Sequence, residues 1–363
     1  MRLLIVTQKI DERDPVLGFM CGWIRAFANA FEKLTVICLE RGAGEFPPNV
    51  RVFSLGKEKA AAGRGGRPPG VFAKLRYTRN FLRYIVKFRN DYDGVFVHMN
   101  PEYVILGGLF WRLWRKKIVL WYNHQSGGAK LAVAAALSNV VCHTSPFAAS
   151  ANFSNSRIMP VGVDTDLFKP AGGAAPRPAA PHRLLSLGRI APIKDLDVMI
   201  DAVSRLLDEG EDIEFSVVGD ALPRDADYLS RLKERAAKPV YAGRIIFREG
   251  EGDRKNVAEF FRQNEFFLNA SPAGLFDKTV FEAMACGCVP LVSSKAFAGI
   301  LPPECLFNEG NSQNLAYHLV AFFHRSSEEL ERLGGVLRNQ AVAEHSLESL
   351  ASHLKSLFGT ETL

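Results

Sequence analysis

The stretch SPAGLFDKTVFEAMACGCVPLVSS, Ser271 to Ser294, decides how the chain is read. It opens as a loop of small residues. Apolar residues at helical spacing follow (Val280, Phe281, Met284, Ala285), and Gly287 stands where a helix ends in the left-handed position. CVPLVSS (288–294) then reads as a strand covered on both faces, as does EFFLNA (265–270) just upstream. Strand, loop, helix, strand is the repeating unit of an open parallel sheet. Ligands bind such sheets beyond the carboxyl ends of the strands. The loop and first turn of this stretch are therefore the place to look for chemistry. The amides of Leu275, Phe276, Asp277 and Lys278 are expected to be free donors that together cradle an anion. Glu282, one turn further in, suits the two hydroxyls of a ribose. The competing reading is a partly buried acid paired with a nearby Lys or Arg.

The same grammar extends outward. In the second half, strands are expected at 183–188, 214–220 and 244–249, with a helix in DLDVMIDAVSRLLDEG (195–210). The loop GRIAPIKDL (188–196) leaves its strand through Gly188 and places Arg189 and Lys194 just before that helix, a second seat for a diphosphate. The first half carries apolar runs at 3–6, 34–39, 50–55, 94–99, 117–122 and 140–144, with helical patterns between several of them. AGGAAPRPAAPH (171–182) has no period and reads as a linker. Ser326 and Glu329 form a capping box near the end, and Leu347, Leu350, Leu354 and Leu357 stripe a last helix. The expectation is α/β with two Rossmann-like, doubly wound domains facing a cleft. Their limits are set at 1–168, a linker at 169–182, 183–344, and a helix at 345–363 that packs back on the first domain.

The 363 residues, 47% hydrophobic and 23% charged, suit two soluble domains with sizeable cores. No run approaches the roughly 18–20 apolar residues of a membrane span, and no secretory leader is read, so a cytoplasmic protein is expected. The six cysteines are scattered and read as buried thiols; no second pair accompanies Cys286 and Cys288 at zinc spacing. The net charge of +6 is concentrated. Between Lys57 and Arg89 stand ten Lys or Arg and one acid, Glu58. Residues 71–89 form a basic amphipathic pattern, and 107–117 add two tryptophans beside four cations. An anionic membrane surface fits this pattern; a helix with its apolar face in the core and its cations solvated is the plainer alternative. No recognition motif for nucleic acid accompanies the charge.

Three segments in order, VGVDTDLFKP (161–170), Gly188-Arg189 with Lys194, and FEAMACGCVPLVSS (281–294), resemble the retaining GT-B glycosyltransferases of family 4 over nearly the whole chain. The resemblance implies a nucleoside diphosphate sugar as donor and a glycan or lipid-linked acceptor. It implies Arg189 and Lys194 on the donor diphosphate, Glu282 on the ribose, His124 against the donor sugar, and backbone at Gly18 near the phosphates. Gly188, Gly274, Leu275, Phe276, Lys278 and Thr279 complete the donor site. No metal or other cofactor is implied; the spaced pair Asp164 and Asp166 falls in a matched segment and reads as structural. The chain departs from the family pattern at Gly274, where the first glutamate of the E-x7-E pair would stand, and at Asp277, usually glycine. Two readings follow. Either Asp277 takes over the contact with sugar hydroxyls and Lys278 assists the phosphate, or Asp277 is only a helix cap and donor recognition is altered. A non-catalytic nucleotide-sugar binder and a sugar-nucleotide epimerase on the same fold are the alternatives. A dehydrogenase is disfavoured, because no G-x-G-x-x-G follows a strand.

Overall fold

The computed structural model describes residues 1–14, 16–58, 70–172, 181–272, 274 and 276–359. They divide into two compact units: unit 1 is Met1–Gly162 with Leu347–Leu363, and unit 2 is Val163–Ser346.

Unit 1 carries a parallel sheet in the order β3-β2-β1-β4-β5-β6-β7. The strands are β1 (Arg2–Ile10), β2 (Lys33–Arg41), β3 (Val50–Ser54), β4 (Gly94–His98), β5 (Lys117–Trp121), β6 (Val140–His143) and β7 (Ser156–Ile158). Between them lie α1 (Phe19–Ala30), α2 (Val71–Lys87), α3 (Pro101–Leu113) and α4 (Ala129–Leu137). Residues alternate across a strand, so a strand covered on both faces needs apolar residues at every position. β1 shows this directly. Leu3 and Ile5 enter a core with Trp23, Ile24 and Phe27 of α1. Leu4 and Val6 enter a second core with Phe81 and Ile85 of α2 and Trp111 of α3. The short β7 was not anticipated. Ile158 is 64% exposed, and the strand is held by its backbone pairing with β6 at the sheet edge, which leaves no apolar signature.

Unit 2 carries a second parallel sheet, β10-β9-β8-β11-β12. Its strands are β8 (His182–Leu187), β9 (Ile213–Val218), β10 (Ile245–Arg248), β11 (Phe266–Asn269) and β12 (Val289–Val292). The helices are α5 (Leu196–Asp208), α6 (Ala226–Arg235), α7 (Arg254–Gln263), α8 (Lys278–Ala285), α9 (Ser312–Phe323) and α10 (Ser327–His345). Ser326 and Glu329 close the capping box at the start of α10. Gly334, mid-way along α10, is required by packing: a Cβ there would lie 2.7 Å from the Gly287 carbonyl at the end of α8.

The last helix, α11 (Leu347–Gly359), belongs to unit 1, where Leu350, Ala351 and Leu354 join the core beside α1. The boundary set at 168 is corrected: residues 163–168 belong to unit 2. The Val163 amide donates to the His345 carbonyl, Phe168 packs edge-on against Phe261, and Arg262 Nη2 donates to the Leu167 carbonyl. Most of the proposed linker, 173–180, lies outside the described residues. All six cysteines are buried free thiols. Among the described residues no helix is long and apolar enough to cross a membrane.

Candidate functional site

The site in unit 2 begins where β8 and β9 end side by side. Gly188 turns out of β8 at φ 142°, its amide donating to Val218 O at 3.0 Å. Gly219, at φ 156°, faces it so closely that a Cβ would stand 1.8 Å from the Gly188 carbonyl. Two backbones touching in this way fix the course of the loop that follows. Arg189 is exposed. Pro192–Lys194 make one 3-10 turn, and Asp195 enters α5 in the left-handed region at φ 48°. The turn aims Lys194 toward the end of β11.

There Lys194 Nζ meets the Asp277 carboxylate in an ion pair and stands 3.5 Å from Ser271 Oγ. The same carboxylate oxygen, Oδ2, accepts from Asn269 Nδ2 at 3.1 Å. Burial raises the Asp277 carboxyl, but Lys194, Asn269 and Thr279 outweigh it and hold the group below its ordinary range. Asp277 occupies the N-cap position of α8 yet makes no capping bond with its side chain. The Asp277 carboxylate is thus engaged by Lys194 and Asn269, with no side-chain bond to the amides of α8.

Glu282 is 4% exposed. Arg254, the first residue of α7, donates from Nη2 to Glu282 Oε1 at 3.0 Å, and its guanidinium lies over the Phe168 ring at 5.0 Å. The alternative weighed for Glu282, an acid paired with a nearby cation, is what this structure contains. Lys278 feels Glu282, Arg254 and Asp164; burial, with Arg254 assisting, pushes its ammonium down to about 7 against the pull of the two acids.

α8 starts at Lys278, so Phe276 precedes the first turn, and its ring stacks on Phe297 at 4.8 Å. The Gly274 amide donates to Ser294 Oγ. Leu275 lies outside the described residues. Thr279, in the first turn, stands by Asp277. Asp164 Oδ1 accepts from the Leu167 amide.

Two of the expected residues lie in unit 1. His124 is exposed after β5, its ring against Tyr122 at 5.6 Å. Gly18 precedes α1 with an ordinary φ of −56°. Its amide is already bonded to the Asp14 carbonyl, and a Cβ would stand 2.6 Å from that carbonyl. Crowding against its own loop therefore explains this glycine.

Sequence reasoning missed Arg254, Asn269 and Ser271. Asn269 and Ser271 are 5% and 1% exposed at the carboxyl end of an apolar strand, the very place an open sheet binds ligands, and that signal could have been used. Arg254 follows the charged run EGEGD (249–253) and had no signal of its own.

Structural comparison settles the fold. Sucrose-phosphate synthase from Thermosynechococcus elongatus aligns over 99% of this chain and 98% of its own, with a TM-score of 0.76 at 17% identity. Alr3699/HepE of Anabaena, in complex with UDP, aligns over 99% and 100%, with a TM-score of 0.72 at 16% identity. This is a GT-B fold. Within it, residues 181–325 match the model for glycosyl transferases group 1. The GT-B chain is also 32% identical over 139 residues to the lipopolysaccharide core biosynthesis mannosyltransferase LpsB of Rhizobium meliloti, covering 37% of this chain and 38% of that one. A D-inositol 3-phosphate glycosyltransferase of Streptomyces bingchenggensis is 30% identical over 161 residues, covering 39% and 35%. These alignments thus span little more than a third of either curated relative.

Proposed function

We propose that the protein is a glycosyltransferase that moves a hexose-type sugar from a nucleoside diphosphate sugar to an acceptor hydroxyl with retention of configuration. One observation carries the reading. Lys194 from the loop after β8 meets Ser271, just past β11, and Asp277 at the start of α8; Asn269 at the end of β11 donates to the same Asp277 carboxylate, and Glu282 lies one turn further along α8. A cationic seat and a held carboxylate at the carboxyl ends of parallel strands suit a diphosphate and a ribose. Arg189 and Lys194 offset the charge that grows on the departing diphosphate, which itself takes the acceptor's proton. The reading calls for no metal ion. Arg254 positions Glu282, and Asp277 meets hydroxyls of the transferred sugar. For His124 and Gly18 the proposed roles rest on the sequence resemblance. Support also comes from the match of 181–325 to glycosyl transferases group 1, and from the structural neighbour in complex with UDP-glucose.

The acceptor is proposed to be a glycan or lipid-linked glycan in cell-surface polysaccharide or glycolipid synthesis, met by a cytoplasmic enzyme at an anionic membrane surface. Val71, Phe72 and Leu75 of α2 are 71%, 90% and 61% exposed among Lys74, Arg76, Arg79, Arg83 and Lys87, with no acid on the helix. Leu109 and Leu113 are 70% and 78% exposed beside Arg112 at the end of α3. Apolar contact and cations together are what such a surface binds.

The test is a thermal-shift panel of UDP-, GDP- and ADP-sugars, with Lys194→Ala as control, followed by transfer assays. A donor at ~100 times its dissociation constant adds about 2.7 kcal/mol. Stabilisation by one nucleotide, lost in Lys194→Ala, is the expected result. No stabilisation by any donor counts against the reading. The Lys194–Asp277 pair gives substance to the second reading, a non-catalytic nucleotide-sugar binder; donor binding without turnover on any acceptor favours it.

A further inference from the structure

The ammonium of Lys194 already has an anion from its own chain, the Asp277 carboxylate. Two donors converge on Asp277 Oδ2, Lys194 Nζ and Asn269 Nδ2, while Ser271 Oγ stands against the same ammonium. Around a single carboxylate oxygen this gathers the kind of donors that a phosphate oxygen would use. The side chain has a local alternative, since an N-cap aspartate commonly accepts from the first-turn amides of its helix, and it makes no such capping bond. It is turned instead to a residue 83 positions away in sequence. The two side chains are largely withdrawn from water, at 26% and 18% exposure, so the pair is poorly screened. Lys194 holds the carboxyl below its usual range despite burial, so the acid is charged at neutral pH.

We infer that the Asp277 carboxylate is an internal occupant of the anion seat, which an incoming diphosphate must displace from Lys194. The inference rests on the diphosphate role of Lys194 proposed above. Two anions compete for one ammonium, so the nucleotide is held less tightly than the cations alone would hold it. Displacement also frees Asp277 Oδ2 to accept a hydroxyl from the sugar attached to that diphosphate. When the sugar has been transferred, the carboxylate returns to Lys194 and favours departure of the nucleoside diphosphate. Asp277 thus sets how loosely product is held.

The experiment is titration calorimetry on the full chain with inorganic pyrophosphate, UDP, GDP and ADP. The proteins are wild type, Asp277→Asn, Asp277→Gly, Lys194→Ala and the double variant Asp277→Asn/Lys194→Ala. Circular dichroism establishes that each is folded, and Asp277→Gly stands in if Asp277→Asn is not. Removing the carboxylate is expected to tighten pyrophosphate and one nucleoside diphosphate at least tenfold. That gain should vanish when Lys194 is also removed. A gain for pyrophosphate with no nucleotide bound by any protein supports the occupied seat and overturns the nucleotide-sugar reading. Unchanged or weaker binding in Asp277→Asn and Asp277→Gly, with binding still lost in Lys194→Ala, overturns the inference and leaves that reading standing. No binding of any probe to any protein overturns both.

Discussion

Replacing Arg254 by alanine tests how Glu282 is held. Glu282 is 4% exposed and receives the Arg254 guanidinium at 3.0 Å. Removing one partner of a buried pair costs ~3–5 kcal/mol, because the other charge is left behind. Two features lower that figure here. The Arg254 side chain is 32% exposed, so the pair is partly screened, and Lys278 also acts on Glu282. The expected loss is about 2 kcal/mol, a fall in midpoint of roughly 4–8 °C for a unit of this size. Arg254→Met separates charge from packing, because it keeps an apolar stem near Phe168. The assay is calorimetric or far-UV melting of wild type, Arg254→Ala, Glu282→Gln and the double variant. All four tryptophans (Trp23, Trp111, Trp114, Trp121) lie in unit 1, so their fluorescence serves as an internal control. Only the transition of unit 2 should move. A loss below ~0.5 kcal/mol, or losses that simply add in the double variant, would refute the view that Arg254 holds Glu282.

Lys278 gives a pH signature. Its ammonium titrates near 7 in the folded protein against 10.5 ordinarily, so above pH 7 the unfolded chain binds a proton that the folded one lacks. Stability should therefore rise from pH 7 toward pH 10 on this account and be level below pH 7. Lys278→Met should flatten the rise, and an unchanged urea-midpoint profile in that variant would contradict the assignment. Gly219→Ala should be severely destabilising, by ~3 kcal/mol or more, since a Cβ meets the Gly188 carbonyl and φ is 156°. Recovery of a folded protein with a wild-type melt would show that the two strand ends can part.

The sheets were legible because a parallel strand buried on both faces leaves a continuous apolar run, as in Leu3–Val6 or Phe266–Leu268. β7 was not, because an edge strand of three residues needs only backbone pairing. Arg189, Lys194 and Glu282 could be picked out because local spacing places them at strand ends and on a helix. Their partners could not be read from local spacing. Arg254 reaches Glu282 from another helix, and Lys194 reaches Asp277 across the sheet end, so each pairing exists only once the chain is folded. The unit boundary was misplaced for a related reason. Composition marks Ala/Gly/Pro-rich segments, whereas the unit to which 163–168 belong is set by bonds from Arg262 and His345.

The place of α11 has a consequence for the order in which the protein is made. Leu350 and Leu354 complete a core begun by Trp23 and Phe27, yet the ribosome supplies every residue of unit 2 in between. Unit 2 is continuous in sequence and can close as soon as Ser346 has emerged. Unit 1 must hold the inner face of α1 open until then, with the loop-closure entropy of a contact spanning most of the chain still to be met. Nascent unit 1 is thus the species that exposes apolar surface during synthesis. A ribosome-bound chain arrested at Ser346, just clear of the exit tunnel, should be cut by protease in unit 1 and spared in unit 2; equal resistance of both would mean that α11 is dispensable for closing the first core.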